Sequence, residues 1–88
     1  MTLKEQVTFA GAGVASLTWA DYPILRFSEV PEIDVDLLGT TENPSLGVGE
    51  ATMGPTAAAI GNAVAHALGA RVRALPLTRA RIAASLLA

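Results

Sequence analysis

The sequence contains no cysteine in its 88 residues, which excludes a disulfide framework and any metal site built on thiolates. Charge is also scarce. Asp, Glu, Lys and Arg make up 16% of the chain, against roughly 25% in an average soluble domain. No apolar run approaches the ~18 to 20 residues that a membrane-spanning helix needs, because Gly and Pro interrupt each one. The sequence MTLKEQVTFAGAG shows no basic leader, apolar core or small-residue cleavage site, so no secretory signal is read and the cytoplasm and the periplasm both stay open. Positive charge is thin. Six basic residues face eight acidic ones, for a net charge of -2, so nucleic acid is not an expected partner.

What the chain does have is apolar surface. Hydrophobic residues reach 51% and the mean hydropathy is +0.44. A body this small has too much surface for its volume to hide that many Leu, Ile and Val residues. The composition therefore predicts a piece of a larger protein, or an obligate partner.

Along the chain, QVTF (6 to 9) and VASLTW (14 to 19) flank Gly11 and Gly13 and read as a hairpin. The same stretch superficially matches a dinucleotide fingerprint, with Asp34 and Asp36 about twenty residues on. Two features oppose it: the third glycine position is Ser16, and Pro23 would stop a helix starting at Val14 after about two turns. After Pro31, EIDVDLL alternates Ile33, Val35 and Leu37 with Asp34 and Asp36, the period of a strand with one buried face. Residues 39 to 55, GTTENPSLGVGEATMGP, carry no periodicity and read as a long loop, a length usually found where loops are functional or disordered. A helix is expected over 56 to 68, with Pro55 at its start, Gly69 as its C-cap and Ile60, Val64 and Leu68 as its stripe. Arg71 to Leu75 reads as a short extended piece. Thr78 then caps a last helix carrying Ile82 and Leu86. The architecture expected is α+β: a small antiparallel sheet or hairpin, a long glutamate loop and two C-terminal helices that pack on the sheet or on a missing body.

Among chemistry-bearing residues, Glu50 follows Gly47-Val48-Gly49, where glycines let backbone approach a bulky ligand and turn to present a carboxylate. By composition alone such a glutamate is as well read as a solvated loop residue. His66 stands alone on the polar face of its helix, with no second His or Cys to complete a metal site. Glu32, Asp34 and Asp36 share one strand face and are read as solvated. None of the serines sits in a nucleophile elbow.

Three segments, DYPILRFSEVPEIDV (21 to 35), GVGEATMGPTAAAIGNAV (47 to 64) and ALGARVRALPLT (67 to 78), together resemble the extreme C-terminus of the molybdopterin-binding subunit of the xanthine dehydrogenase and aldehyde oxidase family. The flavour is that of the bacterial isoquinoline, nicotinate and aldehyde oxidoreductases. Flavin-dependent halogenases also carry a GVGEAT stretch after a nucleotide-binding strand, but PTAAAIGNAV and RVRALPLT do not look like theirs.

The resemblance implies that residues 1–88 are an incomplete segment of a molybdenum hydroxylase domain, with Glu50 as general base and Gly47 and Gly49 near the cofactor. It implies oxidation of an N-heteroaromatic compound or an aldehyde with water as oxygen source. The cofactor implied is molybdopterin, in its cytosine dinucleotide form, bound mainly by residues outside this chain. The partners implied are the remainder of the molybdenum subunit, an iron-sulfur subunit and an electron acceptor, either a flavin subunit or a cytochrome. Turnover by these 88 residues alone is not expected. Two departures stand out: Ala51-Thr52 follow the glutamate where many relatives have proline, and Thr78-Arg79-Ala80-Arg81 replaces Thr-Pro-Glu-Arg, putting Arg in a first helical turn where acid is favoured. The alternative reading is a non-catalytic remnant or association module that docks on a partner.

Overall fold

The computed structural model describes all 88 residues, Met1–Ala88. Its elements in chain order are β1 (Phe9–Ala10), β2 (Gly13–Val14), a 3-10 turn (Phe27–Glu29), a second (Glu50–Thr52), α1 (Met53–Leu68) and α2 (Arg79–Leu87). This is the expected α+β composition, reduced to a hairpin and two helices.

The hairpin pairs Phe9 with Val14 and Ala10 with Gly13 in antiparallel register. Gly11 takes φ +59 at the first central position of the two-residue turn, the glycine position of a type II′ turn, whose twist matches that of the strands it joins. The strands are shorter than the sequence pattern suggests. Beyond them the pairing continues only through Ala15 N–H to the Thr8 carbonyl at 2.7 Å and Thr8 N–H to Ser16 Oγ at 3.1 Å. No helix starts at Val14, so the dinucleotide reading fails on its first structural requirement.

Helix α1 ends as expected, with Gly69 in the left-handed region at φ +68 and its N–H donating to the Ala65 carbonyl. It begins three residues earlier than Pro55 suggests. Proline is tolerated there because the first four N–H groups of a helix have no intrahelical acceptor. Its half-buried face is Ala57, Ile60, Gly61, Val64 and Ala65. Small side chains alternate there with branched ones. Leu68, expected on the stripe, is exposed. Helix α2 is capped as expected, the Thr78 hydroxyl accepting from the Arg81 N–H at 3.3 Å.

Residues 32 to 38 form no strand. A strand exists only where a neighbour completes its backbone ladder, and the chain's single sheet is the two-residue hairpin. Likewise neither helix packs on the hairpin or on the other helix. Only Pro76 and Leu77 are buried. Leu77 N–H donates to the Thr2 carbonyl at 2.7 Å, while residues 2 to 5 lie beside Leu25, Thr56 and Ile60.

The dimensions show how open this arrangement is. The radius of gyration is 16.9 Å, with extents of 54 × 34 × 27 Å, where a compact chain of this length would have about 12 Å. The accessible surface is 7694 Å², against about 4,900 Å² for a compact 9.0 kDa body. The chain thus exposes about 2,800 Å² more than a self-sufficient domain of its mass would.

Candidate functional site

Glu50 opens the 3-10 turn that runs directly into α1, so it stands at the N-terminal end of a continuous helical stretch, Glu50–Leu68. Two threonine hydroxyls bond backbone carbonyls here, and no side chain caps the first N–H groups of the turn or of α1. Thr52 Oγ1 donates to the Gly49 carbonyl at 2.8 Å, and Thr56 Oγ1 donates to the Thr52 carbonyl at 2.5 Å. The first bond bridges the backbone on either side of Glu50 and fixes the direction in which it leaves the loop. Negative charge is best placed at such a helix end, where unpaired N–H groups and the helix dipole meet it.

The sequence singles out Ala51-Thr52 only as a departure from a family pattern. In the structure the Thr52 hydroxyl donates to the carbonyl of Gly49, the residue before the glutamate. The signal available in the sequence is a threonine in the turn before a helix, the residue type that hydrogen-bonds nearby backbone.

Around the glutamate the chain offers little else. Residues 31 to 56 are all exposed, Leu46 at 82% and Val48 at 68%. A Cβ built on Gly47 or Gly49 would meet no atom within 4 Å. Neither glycine therefore serves close packing inside this chain. None of the five surface hollows is lined by Gly47, Gly49 or Glu50. The burial that would suit a base is not supplied by these 88 residues.

The other candidates are scattered. His66 lies exposed in the last turn of α1. Glu32, Asp34 and Asp36 are exposed on irregular backbone. No three His, Asp or Glu side chains gather closely enough to hold a metal ion.

Two polar ties stiffen the rest. Lys4 Nζ reaches both oxygens of Glu29 at 2.6 and 2.7 Å, and the Arg26 N–H donates to Glu29 Oε2 at 2.8 Å. The Lys4 ammonium, then the Arg26 amide, hold the Glu29 carboxyl below its ordinary value of 4.5. The second tie is Arg81, whose guanidinium donates to the Leu75 carbonyl, to the Pro76 carbonyl at 3.2 Å and to Gln6 Oε1 at 3.5 Å. Arg81, which matches the last residue of the Thr-Pro-Glu-Arg pattern, thus folds back on the carbonyls before its own helix.

Comparison with known proteins gives the site its context. The chain is 50% identical over 84 residues to one of the subunits of the nicotinate dehydrogenase of Pseudomonas putida, a match covering 96% of this chain and 7% of that protein. It is 36% identical over 77 residues to the beta chain of the isoquinoline 1-oxidoreductase of Brevundimonas diminuta, covering 88% of this chain and 10% of that protein. It is 39% identical over 61 residues to the membrane-bound aldehyde dehydrogenase [pyrroloquinoline-quinone] of Gluconacetobacter polyoxogenes, covering 69% of this chain and 8% of the relative. The chain thus spans a tenth or less of the length of each of these relatives. No family model and no solved structure matches it.

Proposed function

We propose, on the premise that this chain is homologous over two thirds to nearly all of its length to proteins of the molybdenum hydroxylase family, that it supplies the glutamate-bearing wall of such an enzyme's active site. In this reading residues 1–88 are a C-terminal segment of the molybdopterin-binding domain. The observation that carries it is the placement of Glu50: it opens a turn that runs into α1, is preceded by glycines with nothing packed on them, and is left uncovered by its own chain.

The residues present do not fit a complete cofactor site, since no cluster of ligands and no hollow surrounds Glu50. They fit one side of a site whose other side is the rest of the subunit. When bound, the molybdopterin group, here in its cytosine dinucleotide form, supplies the two-electron redox chemistry. This chain's part is acid-base and steric. The Glu50 carboxylate takes the proton from the water-derived oxygen nucleophile, and Gly47 and Gly49 let the backbone pass close to the cofactor without a Cβ in the way.

The substrate class is an N-heteroaromatic compound or an aldehyde, with an N-heteroaromatic acid favoured because the 50% match is to a nicotinate enzyme. An iron-sulfur subunit and a flavin or cytochrome acceptor complete the electron path. One relative's name carries pyrroloquinoline quinone, so molybdenum content of the purified enzyme is the first check on the cofactor.

Glu50→Gln in the intact enzyme should lower kcat/KM by about 10²- to 10⁴-fold, the usual contribution of a general base, with molybdenum content and subunit assembly unchanged. Activity within a few-fold of wild type would refute the base. That result would favour the second reading, a non-catalytic docking module, which rests on the chain burying only Pro76 and Leu77.

A further inference from the structure

Residues 32 to 38, EIDVDLL, contain neither Gly nor Pro, so each carries both an amide donor and a side chain. Apolar Ile33, Val35 and Leu37 alternate with Glu32, Asp34 and Asp36. The run nevertheless forms no ladder; the three alternating apolar residues are 71%, 73% and 90% exposed, and Leu38, which ends the alternation, is also 90% exposed. A run with strand periodicity that leaves both its apolar face and its backbone donors in water is a strand lacking a neighbour.

Two observations indicate where that neighbour lies. The relatives extend far beyond this chain, which spans 7% to 10% of them. The surface exposed in excess of a compact domain, about 2,800 Å² on this chain alone, reaches or exceeds one partner's share of an obligate interface, roughly 1,000 to 2,500 Å² of a total of 2,000 to 5,000 Å². It exceeds what transient contacts cover.

We propose that residues 32–38 become a β-strand by adding to a sheet in the rest of the subunit, with Ile33, Val35 and Leu37 turned to its core and Glu32, Asp34 and Asp36 turned to water. The inference rests on the reading above only for the existence of that larger subunit. A sheet with one wet face is characteristic of antiparallel pairing. Like charges directly opposite one another are destabilising, so the partner strand carries basic or uncharged side chains across from the three carboxylates. Val30 is already extended at φ -66, ψ 124, and Pro31 precedes the first amide that must pair, a position open to proline at a strand's start. The strand anchors the segment leading to Glu50 from one side, as α1 does from the other.

Hydrogen exchange decides the matter. In the intact subunit the alternate amides within residues 33 to 37 that face the added sheet should exchange at least about 100-fold more slowly than in the isolated chain, where no ladder protects them. Val35→Asp should abolish that protection and reduce recovery of assembled subunit at least about tenfold, while Asp34→Ser on the wet face should change neither. Should Val35→Asp fail to accumulate, the wild-type comparison still stands. Unprotected amides in the intact subunit would overturn the proposal. So would protection appearing in the isolated chain together with a dimer mass, which would make a second copy the partner. Glu50→Gln should keep the protection, so a failure of the catalytic reading and a failure of this one are seen separately.

Discussion

Removed from any larger protein, these 88 residues should fail to close into a domain. The perturbation is expression of the chain alone, and the expected size follows from its geometry. A compact chain of this length has a radius of gyration of about 12 Å and an unfolded one about 29 Å; the fold described has 16.9 Å. Its 7694 Å² of accessible surface removes only about 40% of what the extended chain exposes, where even a 60-residue domain removes about 60%. Small-angle scattering on the isolated chain should therefore give about 17 Å or more. Circular dichroism should show a partial helical signal from α1 that declines gradually with urea, without the sigmoidal transition and slope of about 1 kcal/mol/M typical of a small two-state domain. A monomer near 12 Å with sigmoidal unfolding would refute the reasoning, because Leu37, Leu38, Leu46 and their neighbours would then have found one another.

Three further outcomes test the local contacts. Glu29 is lowered by Lys4 in the fold, so the tie's stabilisation is present above 4.5 and is lost as pH falls through the lowered value; Lys4→Met should bring the Glu29 titration back up toward 4.5, as followed by NMR. Gly69→Ala forces a side chain into φ +68 and should cost the intact subunit about 1 to 2 kcal/mol in thermal unfolding; an unchanged midpoint would mean the left-handed cap is dispensable. Arg81→Ala frees the carbonyls of Leu75 and Pro76 and should speed exchange of the Leu77 amide about tenfold or more, with Arg81→Lys in between; equal rates would show that Arg81 does not hold the Thr2 to Leu77 contact.

The features legible in the sequence are those decided within a few residues. Gly69 ends α1 because only a residue without Cβ enters the left-handed region freely, and Thr78 starts α2 through its own hydroxyl. Gly11 is readable for the same local reason. Pro55 points to a later start for α1 than the true one, because the 3-10 turn Glu50–Thr52 runs straight into the helix at Met53. The strand pattern of 32 to 38 is real as a pattern, but alternation records which face wants burial and says nothing of where the partner is. The role of Arg81 is not readable from its helix because its acceptors include Gln6, 75 residues away. Glu50 lies between these cases: glycine and glutamate mark the place, and within these residues nothing buries it or forms a hollow around it.

The stretch from Pro31 to Val48 makes none of the chain's backbone hydrogen bonds outside its regular elements, and its own contacts are a turn at Thr41–Glu42 and the Asn43 to Thr40 side-chain bond at 3.2 Å. Selection on the folding of these 88 residues therefore has almost nothing to act on there. A substitution in that arm is silent to its own chain and is felt only by whatever the arm touches, so the pattern of tolerated change across Pro31 to Val48 would trace, residue by residue, the outline of a surface that lies elsewhere.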